Sequence, residues 1–152
     1  MKLIKLAKRI VFRLRGEYIT EDLIDMGLVV GKNFKRMHGV ILDPSHVWHI
    51  HIGDNVTLAP RVHILAHDAS LYNTLGYTRI GNVNIGNNVF IGPNVTFTND
   101  KFPRSKQYPE KFETTIIGDG ASIGAGAVIL CGISIGENAM IGAGSVVTKS
   151  IP

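Results

Sequence analysis

The sequence predicts an all-β solenoid, a parallel β-helix of triangular coils with an N-terminal helical cap and two loop excursions. Three observations predict it. Aliphatic residues recur every six positions at Ile117, Ile123, Ile129, Ile135, Ile141 and Val147, and with the same spacing at Ile85, Ile91, Phe97 and at Ile52, Leu58, Ile64. Glycine often follows, as at Gly53, Gly86, Gly92, Gly118, Gly124, Gly136 and Gly142. In most hexads the fourth position is Asn or Gly (Asn55, Asn88, Asn94, Gly120, Gly126, Gly132, Asn138, Gly144), the residues that most readily adopt positive φ. The fifth is small or β-branched, as at Val56, Val62, Val89, Val95, Ala121 and Ala127. The pattern reads as strand, tight corner, strand. Three hexads close a coil, and successive coils stack about 4.8 Å apart through parallel backbone hydrogen bonds. A helix is a poor alternative: six does not match 3.6, and each interior glycine would cost a helix about 1 kcal/mol.

The elements follow in order. Residues 1–29 predict a helical cap. Leu3, Ala7, Ile10 and Leu14, with Ile4 and Val11, form one helical face, and bases occupy the other. Thr20 is placed to cap a short helix over about 21–26 that Gly27 ends. Residues 30–152 predict the β-helix. Two of its hexads break the rule: His67 and Asp68 replace the corner and small residues after Ile64, and Asp100 and Lys101 do so after Phe97. The repeat then lapses over roughly 69–78 and 101–115. If Ile80 is not a full corner, both loops leave one edge; if it is, they leave one face apart.

At 152 residues and 45% hydrophobic content the chain supports one domain with a real core. No apolar run spans a bilayer, and the N-terminus lacks the separate apolar stretch and cleavage site of a signal peptide. One cysteine, Cys131, excludes an internal disulfide framework and fits a cytoplasmic location. The charge of +4 is local. Lys2, Lys5, Lys8, Arg9, Arg13 and Arg15 supply six of sixteen bases, and all twelve acids lie beyond residue 15, leaving ten bases against twelve acids, or −2. The body therefore carries no nucleic-acid signature. The N-terminal segment reads as a cap over the open end of the stack; membrane-surface contact by its basic face is the sharper alternative.

The chemistry-bearing residues cluster at the breaks. All six histidines fall between 38 and 67 (His38, His46, His49, His51, His63, His67). No Cys pair or HExxH accompanies them, so no metal is expected. His67 opens a loop from a corner position. Acyl transfer from a thioester to an alcohol needs a base near neutrality, and imidazole, with a pKa of about 6.5, suits it. Asp68 is placed to orient His67 or touch an acceptor. The plainer alternative is a surface histidine in a turn. Asn99, Asp100 and Arg104 suit a polar ligand such as a sugar or nucleotide-sugar; the alternative is a solvated loop held by Pro103 and Pro109. Lys149 is placed to meet phosphates as a point charge, or is a solvated lysine.

These residues carry a resemblance. Residues 135–149, Ile135-Gly136-Glu137-Asn138 through Thr148-Lys149, look like the terminal coil of hexapeptide-repeat acetyltransferases. Ile52-Gly53-Asp54-Asn55-Val56, with Ala66-His67-Asp68 and Ile85-Gly86-Asn87-Asn88, resembles sugar O-acetyltransferases of the maltose and galactoside acetyltransferase type. The resemblance implies left-handed winding, an exception to right-handed crossovers. It also implies acetyl-CoA as acyl donor, His67 as general base for direct attack by a saccharide hydroxyl, and donor contacts at Ala125, Ala143, Thr148 and Lys149. Homotrimers with sites between subunits, and a place in polysaccharide biosynthesis, are further expectations. The loop from Asn99-Asp100 through Pro103-Arg104 resembles instead N-acetyltransferases of nucleotide-linked 3-amino sugars, which makes N-acetylation of such an acceptor the rival reading. Relatives run on past the position of Pro152 into a segment that finishes the coenzyme pocket, so more chain is expected there. A β-helix that only mediates assembly is the non-enzymatic alternative; it would need neither polar excursion.

Overall fold

The computed structural model describes residues 7, 9–12, 14, 16–101, 103, 108 and 111–152. A six-residue aliphatic beat can bury its side chains only if every sixth residue returns to the same axis, and the described residues do this as a left-handed parallel β-helix. Three five-stranded parallel sheets form the sides of a prism. The first stacks Val29–Val30, Ile50–Ile52, Asn82–Ile85, Thr114–Ile117 and Ser134–Ile135. The second stacks Lys35–Arg36, Thr57–Leu58, Phe90–Ile91, Ser122–Ile123 and Met140–Ile141. The third stacks Ile41–Leu42, His63–Ile64, Thr96–Phe97, Val128–Ile129 and Val146–Val147. Ile151 bridges Ile135 above the first sheet.

Register places like on like. Ile52 pairs with Ile85, Ile85 with Ile117, and Ile117 with Ile135. Leu58, Ile91, Ile123 and Ile141 align on the second sheet, and Ile64, Phe97, Ile129 and Val147 on the third. Every one of these side chains is at most 6% exposed, each contributing roughly 1.5–3 kcal/mol of apolar burial. Corners demand positive φ and receive it: Asn55, Asn88, Asn94 and Asn138 lie at 57–58°, and Gly120, Gly126, Gly132 and Gly144 at 68–71°. On the first edge, between sheets one and two, the asparagine amides continue the stacking. Asn33 donates to Asn55 at 2.9 Å and Asn55 to Asn88 at 3.0 Å.

The lower end differs in detail from the sequence reading. A regular first coil already starts at Val29 and runs to Leu42, with Asn33 and Gly39 at positive φ. The short helix spans Thr20–Asp25, so Thr20 is its first residue; Ile19 precedes it without a side-chain cap. Gly27 ends it at φ 108°, with Leu28 N–H donating to Leu23 O. Leu23 and Leu28 pack into the core cluster, so this helix covers the lower end of the prism. Residues 9–12 are also helical, and Arg9 pairs with Asp22 at 2.7 Å. Among the described residues nothing covers their apolar face: Ile10, Val11 and Leu14 are 52%, 46% and 83% exposed. Leu3, Ile4, Lys2, Lys5, Lys8, Arg13 and Arg15 lie outside the described residues. Among the described residues no helix is long and apolar enough to cross a membrane.

Three excursions leave the stack, all from the third edge, between sheets three and one. They run over 43–49, 65–81 and 98–113. The first was not anticipated. In the second, His67–Asp68 and Arg79–Ile80 form an antiparallel pair standing off the coil, with a short helix, Tyr72–Leu75, at its tip. Ile80 is thus part of an arm rather than a corner, which settles the question of the edge. The third begins and ends a little earlier than expected, because strand pairing stops at Phe97 and resumes at Thr114.

Candidate active site

The first excursion begins where Asp43 keeps its backbone in the stack, its N–H donating to Ile64 O at 3.0 Å, while Pro44 and Ser45 turn the chain away. The Asp43 carboxylate points to the coil above and is 2% exposed. Its Oδ1 accepts from the Ser45 hydroxyl at 2.8 Å. Its Oδ2 accepts from Ala66 N–H at 2.9 Å and lies 2.5 Å from His67 Nδ1. An ionised carboxylate only accepts, so Nδ1 carries the proton of this contact and Nε2 is the ring's other nitrogen. Burial alone would push the Asp43 carboxyl up; the bonds from His67, Ser45 and Ala66 and the nearby His67 charge outweigh it and hold the group below the usual carboxylate range. The His67 side chain is 28% exposed, so the ring is anchored at one nitrogen and open at the other end.

The same excursion brings an aromatic group to His67. The His46 ring stacks on it with centroids 4.6 Å apart and planes at 28°. Trp48 lies 5.3 Å from His46, and His49 lies 6.5 Å from it. His46 Nδ1 is 3.1 Å from the Ser45 hydroxyl. Burial, then the His67 charge, lowers the His46 pKa against the opposing pull of Asp43. Asp43, His46 and His67 bring three possible ligand atoms within 4.8 Å of one another. This is a set that could hold a metal ion as well as a hydrogen-bonded imidazole. Of the other histidines, His49 bonds Asn82 and His51 bonds Asn84, and His63 lies on the outer side of sheet three.

The remaining candidates fall in three places. Asp68 accepts from Ser70 N–H at 2.7 Å; the carboxylate that orients His67 is Asp43, supplied by the coil below. Asn99 and Asp100 are 4% and 7% exposed and turned inward. The Asn99 amide donates to Leu65 O at 3.4 Å, and Asp100 Oδ1 accepts from Arg79 at 2.6 Å. They therefore tie the third excursion to the arm of the second. Arg104 lies outside the described residues. Cys131, on the same edge, is buried, and burial, then Glu113 and Asp100, push its thiol up.

Ala125, Ala143, Thr148 and Lys149 are all exposed but lie on two edges. Ala125 and Ala143 occupy stacked corners of the second edge, where Gly144 N–H donates to Ala125 O at 2.8 Å. Thr148 and Lys149 continue the third edge, above a column joined by Leu65 N–H to Phe97 O, Thr98 N–H to Ile129 O and Leu130 N–H to Val147 O. Lys149 thus shares the edge of His67 three coils up, about 14 Å at the usual strand spacing. One chain does not bring the two alanines to His67. Sequence reasoning also missed Asp43, Ser45, His46 and Arg79. The one signal for the first three was the ten-residue step from Leu42 to Ile52, filled by Asp-Pro-Ser-His.

Residues 114–149 match the family described as bacterial transferase hexapeptide (six repeats). That match takes in the upper coils of the stack, from Thr114 to Lys149. The chain is similar to a maltose O-acetyltransferase from Clostridium difficile 630, at 28% identity and a TM-score of 0.59, over 87% of this chain and 65% of that one. It spans about two thirds of that relative's length. A mutant of AntD, an N-acyltransferase from Bacillus cereus in complex with dTDP and coenzyme A, shares the fold at 17% identity and a TM-score of 0.57, over 89% and 81% of the two chains. Another AntD mutant, in complex with dTDP-4-amino-4,6-dideoxyglucose and coenzyme A, aligns at 20% identity and a TM-score of 0.51, over 88% and 80%. No curated protein sequence matches the chain significantly.

Proposed function

We propose that this protein is a hexapeptide-repeat acetyltransferase that transfers acetyl from acetyl-CoA to a hydroxyl of a saccharide acceptor, with His67 as general base and Asp43 as the carboxylate that positions it. The Asp43–His67 contact of 2.5 Å carries the reading: a buried carboxylate fixes one ring nitrogen and leaves the other at a partly open surface. The likeness to a maltose O-acetyltransferase supports a hydroxyl acceptor. His67 Nε2 takes the acceptor hydroxyl proton as that oxygen attacks the thioester carbonyl carbon. The tetrahedral intermediate collapses, the carbon–sulfur bond breaks, and the imidazolium returns its proton to the leaving coenzyme A thiolate. Asp43, already ionised, stabilises that imidazolium without itself taking the proton.

In this reading the exposed corners at Ala125 and Ala143 receive the pantetheine arm through backbone groups, with Thr148 and Lys149 near the coenzyme's phosphates. Asp68 and Arg104 are placed toward the acceptor, while Asn99 and Asp100 hold the two outer excursions together. Because the two alanines and His67 occupy different edges, the proposal includes a homotrimer, in which the second edge of one copy faces the third edge of the next. The rival acceptor is a nucleotide-linked amino sugar, whose neutral amine attacks with less need of a base.

The test offers purified protein acetyl-CoA with a panel of saccharides and a panel of nucleotide-linked amino sugars, and follows thiol release. Transfer to saccharide hydroxyls is expected, with His67→Ala slower by about 10²–10⁴. Transfer confined to amines, or a loss under threefold in His67→Ala, would overturn the proposal.

A further inference from the structure

The Asp43 bond fixes one point of the His67 ring, but a ring held at one nitrogen can still pivot about that bond. Two contacts from the first excursion remove this freedom. The His46 imidazole lies against the face of His67 at 4.6 Å and 28°. The Ser45 hydroxyl lies 3.3 Å from His67 Nδ1, 3.1 Å from His46 Nδ1 and 2.8 Å from Asp43 Oδ1, so one side chain ties both rings to the buried carboxylate. Trp48 packs against His46 in turn, at 5.3 Å. The charged or titratable groups around His46 are His67, Asp43 and His49, and the His49 ring is held by Asn82 at 2.8 Å. His46 is thus braced and lies against His67, although nothing in the prism needs a histidine there: the Val47 beside it already fills the core at 0% exposure.

We infer that His46 is a positioning residue for His67: its stacked ring, tied through Ser45 to Asp43, holds the His67 imidazole in the plane that presents Nε2 to the acceptor. This rests on the proposed role of His67, and ring geometry can be read separately from turnover. A flat apolar ring can replace the stack but not the Ser45 contact, whereas a small side chain removes both. His46→Phe should therefore keep most of the function that His46→Ala loses.

The test compares wild type, His46→Ala, His46→Phe and His67→Ala by two readouts. In proton and nitrogen NMR, the downfield resonance of the His67 imidazole N–H bonded to Asp43 is assigned by its loss in His67→Ala. It should broaden or vanish in His46→Ala and persist in His46→Phe, while both variants keep the melting temperature within a few degrees of wild type. In turnover, His46→Ala should lower kcat about 10–100-fold with KM for acetyl-CoA unchanged, and His46→Phe should recover most of it. An unaltered His67 resonance in His46→Ala overturns the inference whatever the turnover shows. If wild type transfers to no acceptor, the reading of His67 as a base fails, yet the NMR result still decides whether His46 orients that ring. A kcat loss equal in Phe and Ala variants, with the resonance intact, would also overturn it.

Discussion

Asp43 shows how one side chain links stack and chemistry. It belongs to the first coil by its backbone and to the second by its carboxylate, which receives Ala66 N–H and His67 Nδ1. Asp43→Asn keeps the shape but supplies an amide that can donate to Nδ1 and so favour the wrong tautomer. It should cut kcat by about 10²–10⁴, as loss of an orienting carboxylate does elsewhere, with near-native circular dichroism. Two groups at the site contribute to a pH dependence of stability. The native state holds Asp43 below its ordinary range, so its contribution is complete above about pH 3.9 and is lost as pH falls through the lower folded value. The native state also disfavours charged His46. Below about pH 6.5 the unfolded chain binds that proton first, and stability drops until the lower folded value is passed. Urea unfolding should therefore show a loss as pH falls below about 6.5 that shrinks in His46→Phe, and a second loss in stronger acid that shrinks in Asp43→Asn.

At the level of the repeat unit, two neighbouring glycines separate backbone conformation from space. Gly126 sits at φ 68° with nothing within 4 Å of where a Cβ would stand, so Gly126→Ala should cost only the left-handed conformation, about 1–2 kcal/mol. Gly124 has an ordinary φ, but a Cβ there would lie 2.4 Å from Ala143 N and 2.8 Å from Gly142 C. Since those are backbone atoms of the next coil, Gly124→Ala should cost more, about 3 kcal/mol, by forcing the coils apart. Phe97, the one aromatic ring on the inner column of sheet three, is 1% exposed; Phe97→Ala should cost about 3–5 kcal/mol by chemical denaturation.

These units also mark what was legible in advance. Inner positions such as Ile123 and corners such as Asn88 were readable because stacking imposes a strict period and positive φ narrows the choice of residue. His67 stood out as a candidate because it violates that code. Asp43 was not, because the first coil ends there without a glycine rung and its partner lies 24 residues on. Asn99 and Asp100 looked like ligand groups by composition. Only the pairing of Asp100 with Arg79, 21 residues away, shows them joining two excursions, and contacts across such loops leave no periodic trace.

For the molecule as a whole, placement of the alanine corners and His67 on different edges bears directly on assembly. Sedimentation should give the mass of three 16.6 kDa chains. His67→Ala and Ala143→Trp should each be inactive alone. Mixed after unfolding and refolding together, they should regain part of the activity, because some interfaces then pair an intact base with an intact donor edge. No recovery, or a monomer that turns over at the wild-type rate, would rule out shared sites. An arrangement confined to one edge would show no such complementation.

All three excursions depart from the same seam of the prism, and this separates chain length from alignment. Extra residues at that seam, for example a Gly-Ser pair after Gly76, lengthen only an outlying arm, and the rungs above return to their places. A single residue added after Gly120 would shift later side chains by one step of a period-two strand, turning the inward column outward. The first variant should melt within a few degrees of wild type, and the second should fail to fold. Substrate preference in such a scaffold can therefore be rebuilt at one border without renegotiating the interior.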